Sequence, residues 1–106
     1  MELPKKNSEH KRYRGEKEIS RFETMRVFNG DEAHLHVLEE SIFCLCPAPA
    51  KRLVSYKVFV NDLWDLIMRG RCSACNTIAA RYVETGEDPE KVEEIKAILD
   101  QRPLLK

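Results

Sequence analysis

Four cysteines grouped in two close pairs constrain this chain more than any other feature. Cys44-Leu-Cys46 and Cys72-Ser-Ala-Cys75 are separated by 25 residues and contain every cysteine of the 106-residue sequence. A zinc ion takes four ligands at the corners of a tetrahedron, with Zn–S near ~2.3 Å, which sets neighbouring sulfurs about 3.8 Å apart. A C-x-x-C turn entering a helix brings two thiols to one side, and the helix N-terminus favours their thiolate forms. A C-x-C pair on a strand aims both side chains the same way, because residues two apart share a face. The intervening segment is long enough to fold back and close the two pairs on one ion. The expected ligands are therefore Cys44, Cys46, Cys72 and Cys75, and the expected cofactor is Zn2+.

Other uses of the same sulfurs stand beside this one. Cysteine is among the most buried residue types, so all four could be small core side chains. A redox pair would use Cys72 as the exposed nucleophile and Cys75 as the resolving thiol. An iron–sulfur cluster also needs four thiolates. His34-Leu-His36, if extended, would place two imidazoles on one face, near enough to Cys44 and Cys46 for a mixed site. Otherwise these histidines lie on a solvent face, and His10 has no role.

Compartment bears on this choice. The N-terminus is polar and basic with no apolar middle, unlike a secretory signal, and no apolar run approaches the roughly 20 residues of a membrane helix. The expected location is the cytoplasm, where thiols stay reduced and paired cysteines point to metal or redox chemistry rather than disulfides.

Local patterns supply the elements. Leu53 to Val60 is dense in β-branched and aromatic residues and reads as a strand. Asp88-Pro89 opens a helix with an aspartate cap and proline at the first helical position, and Val92, Ile95, Ile98 and Leu99 line one face. Met25 to Phe28 alternates into Asn29-Gly30, the cue for a strand from about Arg21 onward and a hairpin turn, although Ile19, Phe22 and Met25 also suit a helix face over Glu16 to Asn29. Ala33 to Cys46 is similarly double: alternation puts the C-L-C sulfurs on a strand, while Leu35, Leu38 and Ile42 share a helical face. Leu63 to Met68 reads as a short helix capped by Asn61-Asp62 and ended by Gly70, and Ala74 to Glu84 as a further helix. The resulting fold class is α+β: a small antiparallel sheet in the middle of the chain with a C-terminal helical pair, stapled by the four-cysteine metal site. Residues 1–14 are expected as a flexible basic tail and 15–106 as a single domain.

Net charge is zero, but Met1 to Arg14 carries +3 and Glu84 to Asp100 carries −5. A polyanion would thus meet Lys11, Arg12 and Arg14 of the tail, with Lys51, Arg52, Arg69 and Arg71 near the cysteines. A solvated surface accounts for these side chains equally well. No nucleophile elbow, phosphate loop or H-E-x-x-H motif is present, and four bound sulfurs leave the metal no open position for water. The expected function is a non-enzymatic, zinc-stabilised small binding module, regulatory or nucleic-acid-associated. The alternatives are a thiol redox protein using Cys72 and Cys75, or a protein-binding adaptor acting through the C-terminal helices, including Leu104 and Leu105. The partner is thus either nucleic acid or protein, with no membrane.

Overall fold

The structure, a computed structural model, describes Tyr13 and residues 15–42 and 44–101. Lys11, Arg12 and Arg14 of the expected tail lie outside the described residues, as do Leu104 and Leu105. The elements run β1 (Lys17–Ile19), α1 (Arg21–Val27), α2 (Glu32–Glu39), β2 (Leu53–Val60), β3 (Leu66–Cys72), β4 (Ile78–Val83) and α3 (Pro89–Asp100). A 3-10 turn at Thr85–Glu87 precedes α3. The strands form one antiparallel sheet in the order β1-β2-β3-β4. The α+β class, the central antiparallel sheet and a C-terminal helix all agree with the sequence expectation.

The segment after Ser20 is helical, not the strand its alternation suggests. Ser20 Oγ accepts the Glu23 N–H at 3.0 Å, and Glu23 Oε1 accepts the Ser20 N–H at 2.8 Å. This reciprocal capping box satisfies two orphan donors of the first turn. Asn29-Gly30, a hairpin cue by sequence, ends the helix instead: both residues have positive φ, 58° and 75°. Gly30 N–H returns to the Met25 carbonyl at 2.8 Å, closing the last turn. Asp31 then caps α2 through the His34 N–H at 3.1 Å. Leu35 and Leu38 lie on α2, as the helical reading expects, while Ile42 falls beyond the helix end; all three are buried in the core.

Beyond β2 two expected helices are strands. Asn61 does act as a cap, but of a tight turn: its Oδ1 accepts the N–H groups of Leu63 at 2.9 Å and Asp65 at 3.0 Å. Asn61 N–H and the Asp65 carbonyl close the loop at 3.1 Å, and β3 runs back along β2. Gly70 ends no helix. It lies inside β3 beneath a β-bulge in β2, where Ser55 has φ 53° and the register shifts between Val54 and Lys57. A Cβ on Gly70 would sit 2.5 Å from the Val54 carbonyl oxygen and 2.7 Å from Tyr56 Cβ, so only glycine fits that crossing. The stretch expected as a helix over Ala74 to Glu84 is the turn after β3 followed by β4. The C-terminal helical part is α3 with its preceding 3-10 turn.

One face of the sheet carries Ile19, Val58, Val60, Leu66, Met68 and Cys72, which join Val27, Leu35, Leu38, Ile95 and Ile98 from the helices in one core. Burial of such side chains stabilises the fold by about 1.5–3 kcal/mol each. On the other face Arg69 makes a bidentate pair with Glu16, at 2.7 and 2.9 Å. Its guanidinium carbon stands 4.5 Å from the Tyr13 ring centre and 5.2 Å from that of Phe59. Asp88 caps α3 through the Glu90 N–H at 3.0 Å, with Pro89 next, as the sequence implies.

Candidate metal centre

The sheet delivers one cysteine pair and the coil after α2 delivers the other. Cys72 is the last residue of β3, and Ser73 to Thr77 turns the chain into β4. That turn is closed by Cys72 N–H to the Thr77 carbonyl and Asn76 N–H to the Cys72 carbonyl, each 2.9 Å. Asn76 takes φ 65°, a conformation that asparagine tolerates better than most residues. The start of β2 holds the turn from the side: Ser73 N–H bonds the Arg52 carbonyl at 2.8 Å, and Arg52 N–H bonds Ser73 Oγ at 3.0 Å. Cys44 and Cys46 lie in irregular chain, not on the strand expected for them, yet both pack against the core.

The four sulfurs converge. Cys44 and Cys75 are 3.4 Å apart, Cys46 and Cys72 are 3.8 Å apart, and all four Sγ atoms lie within 4.8 Å of one another. A tetrahedral zinc centre needs edges of about 3.8 Å, so the set matches in donor type, number and size. Both of these contacts run between the two loops, which is the arrangement of a staple.

Each sulfur also meets a hydrogen-bond donor. Ala74 N–H points at Cys72 Sγ (3.4 Å), Thr77 Oγ1 at Cys75 Sγ (2.9 Å), and Lys51 Nζ at Cys46 Sγ (3.7 Å). The backbone N–H of Cys46 serves Cys44 and holds that thiol below its ordinary value, with help from the Thr77 hydroxyl. Thr77, through its hydroxyl and then its own backbone N–H, lowers Cys75 to about 6. At Cys46 the Ala48 N–H pulls downward, but burial and the neighbouring thiols prevail and push it up. Donors directed at sulfur disperse the negative charge of clustered thiolates, the usual work of the groups around a metal's ligands.

Lys51 and Thr77 are the contributors that sequence reasoning missed. By sequence, Lys51 counts among the basic contacts for a polyanion. Its ammonium instead donates to the carbonyls of Cys44 at 2.7 Å and Cys46 at 2.8 Å, clasping the C-L-C loop. A lysine five residues beyond the second cysteine, across two prolines, is the only signal the sequence offers. Arg69 is likewise committed to Glu16, and Arg71 donates to the Asn76 carbonyl at 2.6 Å inside the turn. Arg52 has an exposed side chain.

His34 and His36 are exposed, as the solvent-face reading expects, but on α2 rather than a strand and outside the sulfur cluster; the His34 ring lies tilted against Phe28, and His36 Nδ1 pairs with Glu39 at 3.1 Å. The exposures expected of a redox pair are reversed. Cys72, expected as the exposed nucleophile, is 1% exposed, whereas Cys75 is the exposed member. No described helix is long and apolar enough to cross a membrane. Neither family models, curated proteins nor solved structures give a match to this chain.

Proposed function

We propose that Cys44, Cys46, Cys72 and Cys75 bind one zinc ion and that the chain is a non-enzymatic binding module whose fold the metal staples. The convergence of four thiol sulfurs from two loops within 4.8 Å carries this reading. An all-sulfur tetrahedral set suits zinc and leaves no coordination position for water or substrate, so the ion's work is structural. Its binding free energy is folding free energy, because the site joins segments that the unfolded chain keeps apart. A reducing compartment such as the cytoplasm suits four thiols kept for a metal.

For the module's partner, commitment of Lys51 and Arg69 to internal contacts favours a protein over a nucleic acid. Nucleic-acid association would rest on Arg52 and on the tail residues Lys11, Arg12 and Arg14. Cobalt(II) substitution tests the metal reading. Titration into the reduced, metal-free protein should give the intense thiolate-to-metal charge-transfer bands of a four-sulfur tetrahedral site, saturating at one equivalent and lost on adding zinc. Octahedral-type weak absorption, or no change, would refute it. Salt-independent elution from a polyanion column would argue against the nucleic-acid partner.

A further inference from the structure

The sheet ends on β4, and no described strand pairs with its outer side. The hydrogen-bond phase of the β3–β4 ladder shows what that side presents. Cys72 N–H bonds the Thr77 carbonyl directly opposite, so Cys72 and Thr77 form a hydrogen-bonded pair. Antiparallel pairs alternate. In the register Arg71↔Ile78, Arg69↔Ala80 and Ile67↔Tyr82, the residues Ile78, Ala80 and Tyr82 are then non-bonded positions, whose N–H and C=O groups point away from β3. The same residues are the exposed ones of β4, with Ile78 at 52% and Tyr82 at 44%.

We propose that β4 pairs antiparallel with β4 of a second copy, about a two-fold axis at Ala80, to make a continuous sheet across the dimer. In this register Ala80 faces Ala80 of the second copy, and Ile78 faces its Tyr82. Every outward N–H and C=O of the strand then meets its complement, and each Ile–Tyr contact is an aliphatic–aromatic cross-strand pair of the favourable type. The small Ala80 methyl groups permit close approach at the axis. Tyr82 is presented ready-ordered, since its hydroxyl donates to Asp65 at 2.7 Å and accepts from Asn61 at 3.1 Å.

Charge selects both the register and the occupant. Sliding the axis to Arg81 would set two guanidinium groups directly opposite, a destabilising like-charge pair. The Ala80-centred register instead sets Arg81 against Ala79. It also carries Glu84 toward the Asn76 corner of the second copy, where that copy's Arg71 guanidinium is anchored on the Asn76 carbonyl (2.6 Å). This opposite-charge contact occurs twice by symmetry, as an isologous interface requires. Arg81 Nη1 bonds the Tyr82 carbonyl at 2.6 Å; a carbonyl has two lone pairs, and the second serves the Ile78 N–H of the second copy. The sheet's other edge, β1, spans three residues, Lys17–Ile19, too few for comparable pairing.

One six-residue edge buries less than the ~1,000 Å² expected of a tight assembly, so the dimer is weak and concentration-dependent. Sedimentation velocity on the zinc-loaded full chain, from micromolar to millimolar concentration, should show a fast monomer–dimer exchange. Ile78→Lys, at an exposed position, should weaken association at least tenfold while leaving the melting transition in place; Ala80→Pro, which deletes an outward N–H, should abolish it. In a mixture of isotope-labelled and unlabelled protein, intermolecular NOEs should join Ile78 to Tyr82. A monomer throughout the concentration range, or a dimer unaffected by Ile78→Lys and lacking those NOEs, would overturn the proposal. Neither outcome touches the metal reading, which has its own assay.

Discussion

Lys51→Met isolates the clasp on the C-L-C loop without removing a metal ligand. The substitution keeps the aliphatic stem and deletes an ammonium that donates at 2.7 and 2.8 Å to the Cys44 and Cys46 carbonyls and approaches Cys46 Sγ at 3.7 Å. A hydrogen bond to a charged group contributes about 1.5–3 kcal/mol. Lys51 is only half-buried, so water replaces part of what is lost, and a total near ~2 kcal/mol is expected. The loop is ordered around these sulfurs, so the loss should appear in zinc binding, as an affinity about 30-fold weaker. Competition against a chromophoric chelator measures it directly, with Lys57→Met, an exposed lysine on β2, as control. The zinc-loaded variant should also melt about 10 °C lower. Zinc affinity within twofold of the parent would show that the clasp does not support the site, and the reasoning would fail.

Three other perturbations probe the framework. Gly70→Ala forces a Cβ to within 2.5 Å of the Val54 carbonyl; urea unfolding should show a loss of roughly 1–3 kcal/mol, and an unchanged midpoint would contradict the bulge geometry. Arg69→Met alone leaves Glu16 buried without its main partner and should cost about 3–5 kcal/mol, whereas Glu16→Leu with Arg69→Met should recover most of it. Burial, then the hydrogen bond to Glu39, pushes the Tyr56 hydroxyl from 10.0 up to about 12. The unfolded chain therefore releases this proton first, so Tyr56's share of stability is intact below pH 10 and disappears as pH rises through about 12. Tyrosinate absorbance of the parent minus Tyr56→Phe should titrate near the upper value, and Glu39→Gln should bring it down.

The parts legible in the sequence were those where one local signal had no rival. Leu53–Val60 has dense β-branched and aromatic residues, and Asp88-Pro89 combines a cap with a fixed φ; both elements appear where expected. The two cysteine pairs were legible because metal chemistry demands convergence whatever elements carry them, and the C-L-C pair converges from irregular chain rather than a strand. Errors fell where a residue has two physical uses. Asn29-Gly30 serves a hairpin or a helix end, and the Ser20–Glu23 capping box, visible as S-x-x-E, decides for the helix. Gly70 suits a helix terminus or a close strand crossing, and the bulge at Ser55 that decides this is a tertiary feature. Lys51 shows the same ambiguity in function, since a basic side chain reads alike whether it meets a phosphate or two backbone carbonyls.

Metal stoichiometry tests the central claim most directly. Protein purified under reducing conditions and weighed by native mass spectrometry should exceed its denatured mass by one zinc ion per chain. All four thiols should react with a thiol reagent only after chelation or unfolding. A native mass equal to that of the bare polypeptide after zinc supplementation, with Cys75 and its partners freely reactive in a folded chain, would contradict the shared metal centre.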